Sequence, residues 1–224
     1  MTVPTFFIFM WLMYYQFRVR ERPTVRFLRT PYNVQLVEKS RITRRMFSPI
    51  FWAFNSHVQT ALCTLLNDWA LLIQPAVALS EERVPAFDGN DVILYWGVPK
   101  VNLPADAPVV LLSHGVYGGP QENYVKNMFA ISLSQGWRPV LLFRWRFDFH
   151  DTRDLTTALD AIKSKYSRAP IFAIGYSAGA HVLLSYLNKV GRSTPLVAAV
   201  LVGGAYNMLE TMHLTKHMGN PYET

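Results

Sequence analysis

Four short, nearly unbroken apolar runs divide the second half of this chain. They are Val109-Val110-Leu111-Leu112-Ser113, Pro139 to Phe143, Ile171-Phe172-Ala173-Ile174 and Val197 to Val202. Runs of this length predict strands, and Val109–Ser113 has the continuous apolar character of a strand covered on both faces of a parallel sheet. Between them lie segments of helical spacing. Tyr124 to Gln135 predicts one helix. Asp151 to Tyr166 predicts another, with Leu155, Leu159 and Ile162 on one face, and Ala178 to Lys189 a third. Ahead of the first run, residues 82–96 alternate about Asp88-Gly89, a turn signal that predicts a β-hairpin. Strand–helix alternation behind a leading hairpin predicts an α/β fold: a doubly wound sheet, antiparallel at its start and parallel after it.

The first half reads differently. Val3 to Phe17 is almost wholly apolar and aromatic, and residues 18–45 are basic and weakly periodic, which reads as a linker. Met46 to Leu79 is aromatic and apolar, with helical spacing through Ala61-Leu62, Leu65-Leu66, Trp69 and Leu72. Asn67, Asp68 and Gln74 interrupt it, which favours an amphipathic helix over a membrane span. The organisation expected is an N-terminal membrane anchor with a basic linker over 1–45 and a partial α/β domain over 46–224.

Composition narrows the function classes. The chain has 224 residues, half of them apolar, and a net charge of +7, which fits one folded domain and an appendage. Its single cysteine, Cys63, excludes an internal disulfide framework. Much of the positive charge is local, in Arg18, Arg20, Arg22, Arg26 and Arg29, then Lys39, Arg41, Arg44 and Arg45. This charge flanks an apolar segment and is not spread with aromatics over a folded face, so no nucleic-acid partner is expected. Val3–Phe17 lacks the basic start and small-residue cleavage site of a removable signal, and it is short for a bilayer crossing of about 20 residues. Its aromatics and trailing arginines suit an interfacial anchor or a thin span, and a membrane-associated location is expected.

The candidate chemistry sits in Gly175-Tyr176-Ser177-Ala178-Gly179, directly after the third apolar run. A strand feeding Gly-x-Ser-x-Gly feeding a helix is a nucleophile elbow, in which flanking glycines relieve the crowding of a sharp turn. Ser177 is the candidate nucleophile, with Gly175 and Gly179 as elbow residues. An acyl-transferring serine needs amide donors for the oxyanion. The backbone N–H of Ala178 is one candidate. The loop His114-Gly115-Val116-Tyr117-Gly118-Gly119, after the first parallel strand, supplies the other through Val116, with Tyr117 as the adjacent alternative. His114 and Gly115 belong to the same loop, and the expected role of His114 is to brace it. Neither Gly-rich loop carries a P-loop Lys-Ser/Thr or a full dinucleotide pattern, and no Cys/His cluster has zinc spacing, so neither cofactor nor metal is expected.

These stretches resemble the AB-hydrolase 4 family, which holds bacterial carboxylesterases, yeast ethyl-ester synthases and membrane-anchored animal lipases. The resemblance rests on Phe47–Thr60 with its Asn55-x-His57-x-Gln59-Thr60 pattern, on Asp88-Gly89 and Trp96, on His114–Gly119 with Tyr124-Val125, on Thr152–Leu155, and on Gly175–Gly179 with Leu183-Leu184 and Tyr186-Leu187. It spans about residues 46–207. It implies an α/β-hydrolase fold and cleavage of lipid or other acyl esters by a Ser-Asp-His triad.

The pattern is also incomplete. After Ser177 there is no aspartate, the acids are Glu210 and Glu223, and the histidines are His181, His213 and His217. His181 falls one helical turn beyond Ser177, beneath the elbow, and His213 and His217 fall where a lid would begin. His57 is expected to make a structural hydrogen bond. Arg144 to His150 replaces the family's Arg-Gly turn and is shorter. The chain therefore reads as a C-terminally truncated serine esterase or lipase lacking its acid and base, weak or inactive as it stands. The rival readings are a non-catalytic hydrolase-fold binding or regulatory protein and an alcohol acyltransferase.

Overall fold

The computed structural model describes residues 3–53, 55, 57–63, 66, 77–116, 118–143 and 151–204. It divides into two compact units, Met1–Trp69 and Ala70–Thr224.

In the first unit α1 (Val3–Tyr14) continues into a π-helical stretch, Tyr15–Val19. Most of its side chains are exposed, Phe7 at 65% and Phe17 at 69% among them, while Trp11 and Tyr15 are half-buried. Trp11 stacks on Tyr15 and meets Phe51 edge-on, and the Tyr15 hydroxyl donates to the Pro49 carbonyl. Glu21 and Phe47 form an isolated antiparallel bridge. The basic segment is not a plain linker. It contains α2 (Pro31–Lys39), whose first turn is capped by Thr30 Oγ1 accepting from Asn33 N–H at 3.2 Å, with Pro31 opening the helix. No residue of α2 is buried, which is why no apolar stripe announces it. A short helix, α3, covers 57–63. The rest of the predicted amphipathic helix, at 64, 65 and 67–76, lies outside the described residues. His57, expected to make a structural hydrogen bond, is exposed, and its backbone N–H donates to Asn55 Oδ1 at 2.9 Å.

The second unit is built on a six-stranded sheet of order β1-β2-β4-β3-β5-β6. The strands are β1 (Leu79–Pro85), β2 (Asp91–Gly97), β3 (Val109–Ser113), β4 (Arg138–Phe143), β5 (Ile171–Tyr176) and β6 (Leu196–Val202). β1 and β2 form the predicted hairpin, with Gly89 at φ +80° and Asn90 N–H donating to Asp88 Oδ1 in the turn. β2 pairs antiparallel with β4, and β4, β3, β5 and β6 are mutually parallel. The helices are α4 (Asn123–Ser134), α5 (Arg153–Lys165) and α6 (Ala178–Val190).

The two-residue period of a strand sorts the core onto both faces of this sheet. Val109, Leu111, Val140 and Leu142 pack on one side with Leu155, Leu159 and Ile162 of α5 and Val182 and Leu183 of α6. Val110, Leu112 and Leu141 pack on the other with Val125 and Phe129 of α4. Each fully buried leucine or phenylalanine contributes about 1.5–3 kcal/mol relative to exposure, so β3 and β4, buried at every residue, anchor the unit. β6 differs. Its sequence is apolar throughout, yet Val197, Val200 and Val202 are exposed at what is the sheet edge among the described residues.

The parallel strands β3 and β5 both point their C-terminal ends toward one rim. β3 delivers His114 and the Gly-rich loop there, and β5 delivers Ser177.

Candidate active site

Ser177 caps α6 with φ +50° and ψ −112°, and among the described residues it is the one non-glycine residue with positive φ. An L-residue held in such a sparsely populated region costs on the order of 1–3 kcal/mol and needs surrounding structure to hold it there. The hold is visible. Ser177 N–H donates to Val202 O at 2.9 Å, and Ser177 O accepts from Ala180 N–H at 3.0 Å and His181 N–H at 3.3 Å. The residue itself is exposed.

The flanking glycines answer to sterics. A Cβ on Gly175 would lie 2.5 Å from Gly179 O and 2.7 Å from Ala180 Cα. One on Gly179 would lie 2.7 Å from His114 O and press into the Ser113 carbonyl as well. These are backbone atoms and cannot swing aside. The first turn of α6 is thereby pressed against the end of β3, which brings the serine and the Gly-rich loop together. Gly115 is the loop residue that faces Ser177. Ala178 is the first residue of α6, so its N–H has no acceptor within the helix.

Each side of Gly115 is tied by a side chain. His114, 2% exposed, sets Nδ1 2.6 Å from Gly115 O. A carbonyl can only accept, so Nδ1 carries the proton in this tautomer. Gly118 N–H donates to the same carbonyl at 3.0 Å. Gly115 N–H donates to the Tyr124 hydroxyl at 3.2 Å. Burial pushes the His114 imidazole below its ordinary range, and its bond to the Gly115 carbonyl partly opposes that. The ring rests beside Phe143, 5.4 Å between centroids. Burial likewise raises the Tyr124 and Tyr176 phenols.

Val116 is exposed. Tyr117, the alternative donor, lies outside the described residues, as do His150, His213, His217, Glu210 and Glu223. His181 is half-buried on α6. Among the described residues no imidazole or carboxylate hydrogen-bonds to Ser177 Oγ. Sequence reasoning placed Tyr124 at the start of a helix and in the stretch that carries the family resemblance, but gave it no role in the site. The signal that could have found it is an aromatic hydroxyl two residues into the helix that follows a Gly-rich loop.

The chain is similar to known proteins in sequence and in fold. No family model matches the chain. Over 181 residues it is 30% identical to phospholipase ABHD3 of Bos taurus, an alignment that takes in 74% of this chain and 43% of that one. Over 193 residues it is 28% identical to the putative esterase YheT of Escherichia coli (strain K12), covering 79% of this chain and 54% of that one. Its fold superposes on carboxyl esterase 2 of Tuber melanosporum with a TM-score of 0.51 at 18% identity, over 64% of this chain and 50% of that one. The chain belongs to the α/β-hydrolases of the YheT and ABHD type. The expected fold is therefore the observed one. The chain spans about half the length of the relatives it matches.

Proposed function

We propose that this hydrolase acts on carboxylic esters through an acyl-enzyme formed on Ser177. The observation that carries the reading is the pairing of a strained, exposed serine at a helix N-terminus with a glycine loop pressed against it. Ser177 Oγ attacks the acyl carbonyl. The N–H groups of Ala178 and Val116 stabilise the charge that develops on the carbonyl oxygen. The alcohol then leaves, taking up a proton, and water releases the acid from the serine. The serine proton needs a base, and no candidate contacts Oγ among the described residues. Oxyanion donors and binding alone still supply about 10³–10⁴-fold over water when triad members are removed from a serine protease. The expectation is thus slow, site-confined chemistry.

The name of the ABHD3 relatives, phospholipase, supports a lipid or acylglycerol ester as substrate. The N-terminal unit supports presentation at a membrane. Phe6, Phe7, Ile8, Phe9 and Leu12 are exposed on α1, and Arg18, Arg20 and Arg22 follow. No helix among the described residues is long and apolar enough to cross a membrane. The 12 residues of α1 rise about 18 Å, against about 30 Å of hydrocarbon, so the proposed contact is interfacial.

Treatment with a fluorophosphonate tests the chemistry. Slow modification confined to Ser177, absent in Ser177→Ala, is the expected result. Absence of any adduct at Ser177 would return the chain to a non-catalytic scaffold.

A further inference from the structure

Tyr124 touches both halves of the site. Its ring packs on Tyr176, 4.5 Å between centroids, and Tyr176 immediately precedes the nucleophile. Its hydroxyl accepts the Gly115 N–H at 3.2 Å. Gly118 leaves the room that hydroxyl occupies: a Cβ there would lie 2.8 Å from Tyr124 Oη.

Gly115 sets a physical problem. Its missing side chain keeps the space beside Ser177 open, since a Cβ there would sit 3.4 Å from Ser177 Cβ, but glycine has more backbone freedom to lose than any other residue. Its conformation is fixed if both adjoining peptide planes are fixed. The plane before it carries the Gly115 N–H, which Tyr124 holds. The plane after it carries Gly115 O, which His114 Nδ1 and Gly118 N–H hold. That second plane also carries the Val116 N–H, pointing opposite to the carbonyl.

We propose that Tyr124 is a positioning residue for the ester chemistry, locking Gly115 so that the Val116 N–H is aimed before substrate arrives. The inference rests on the reading of Ser177 and Val116 given under Proposed function. Burial keeps the phenol protonated in the neutral range, so the lock does not depend on pH there. Loss of the hydroxyl leaves the ring packing and frees one peptide plane. The plane that carries the Val116 N–H then keeps its bonds to His114 and Gly118 but loses the fixed plane on the other side of Gly115 against which it is set, so part of the donor's ordering falls to the reaction itself.

The test is Tyr124→Phe in the full chain, read by fluorophosphonate labelling kinetics, thermal melting and amide hydrogen exchange at Gly115. Expected are a roughly ten-fold lower maximal labelling rate, the equivalent of about 1.4 kcal/mol, with half-saturating probe concentration and melting temperature unchanged, and faster exchange at Gly115. An unchanged maximal rate in a folded variant overturns the proposal. If Tyr124→Phe does not fold, Gly118→Ala carries the test by displacing the hydroxyl from the other side; the same rate loss supports the proposal and an unchanged rate overturns it. If the unsubstituted chain takes no label at Ser177, the ester-hydrolase reading fails first. Gly115 exchange then decides the lock alone, with faster exchange in Tyr124→Phe supporting it and equal exchange overturning it.

Discussion

A Cβ placed on Gly115 would stand 3.4 Å from Ser177 Cβ and 3.9 Å from Ser177 Oγ. That is ordinary van der Waals contact, so the resting structure has room for a methyl group. A substrate acyl group bonded to Oγ would need the same space. Gly115→Ala is therefore expected to melt within a few degrees of the unsubstituted protein, yet to lose at least about ten-fold in phosphonate labelling. A variant that labels at the full rate would show that the reacting carbonyl does not approach from this loop.

Gly175 and Gly179 predict the opposite division. Their added Cβ atoms meet backbone, at 2.5 Å for Gly175 against Gly179 O. Relief requires α6 to lift from β5 for Gly175 and from the end of β3 for Gly179, although Ala178, Ala180 and Leu183 of α6 are buried. Gly175→Ala and Gly179→Ala should each cost about 3 kcal/mol or more, seen as loss of soluble folded protein or a lower denaturant midpoint. Labelling falls with folding in these variants, whereas in Gly115→Ala it falls without it.

The strain at Ser177 gives a prediction free of chemistry. Both Ser177→Ala and Ser177→Gly remove the nucleophile, but alanine keeps the unfavourable φ of +50° and glycine does not. Glycine also gains entropy in the unfolded chain, which opposes part of the relief. The net expectation is that Ser177→Gly is more stable than Ser177→Ala by about 1 kcal/mol, measured by equilibrium denaturation. Equal stabilities would mean that the elbow is relaxed and its geometry carries no stored energy.

How far these relations could be read from sequence differs along the chain. The continuous runs of β3 and β4 and the spacing of Leu155, Leu159 and Ile162 reported their own burial, because a residue packed on a sheet must repeat with the period of its element. The glycines of the elbow reported a clash that any residue but glycine would suffer. α2 was hidden because it buries nothing, and only its Thr30-Pro31 start marks it. Tyr124 was hidden for another reason. Its contact with Gly115 joins residues nine apart across a loop, and no periodicity encodes which aromatic hydroxyl meets which amide.

His114 predicts a pH dependence. In the folded protein burial holds its pKa below the ordinary value, which is about 6.5 for the unfolded chain. Above that value the imidazole is neutral in both states and the stability of the fold is complete. As pH falls below it, the unfolded chain takes up a proton that the folded chain resists, so stability declines until pH passes the folded pKa. A second proton on this ring would also bring a charge beside Phe143. Denaturation midpoints should therefore fall between about pH 6.5 and the acid range, and His114→Asn, which cannot titrate, should show a shallower decline over that window. The asparagine variant is also expected to lose labelling at every pH, since its shorter amide has to reach the Gly115 carbonyl from a different position. If the two proteins show parallel pH–stability curves, His114 is not the group that makes the fold acid-sensitive, and the acid response belongs to carboxylates elsewhere in the sheet unit.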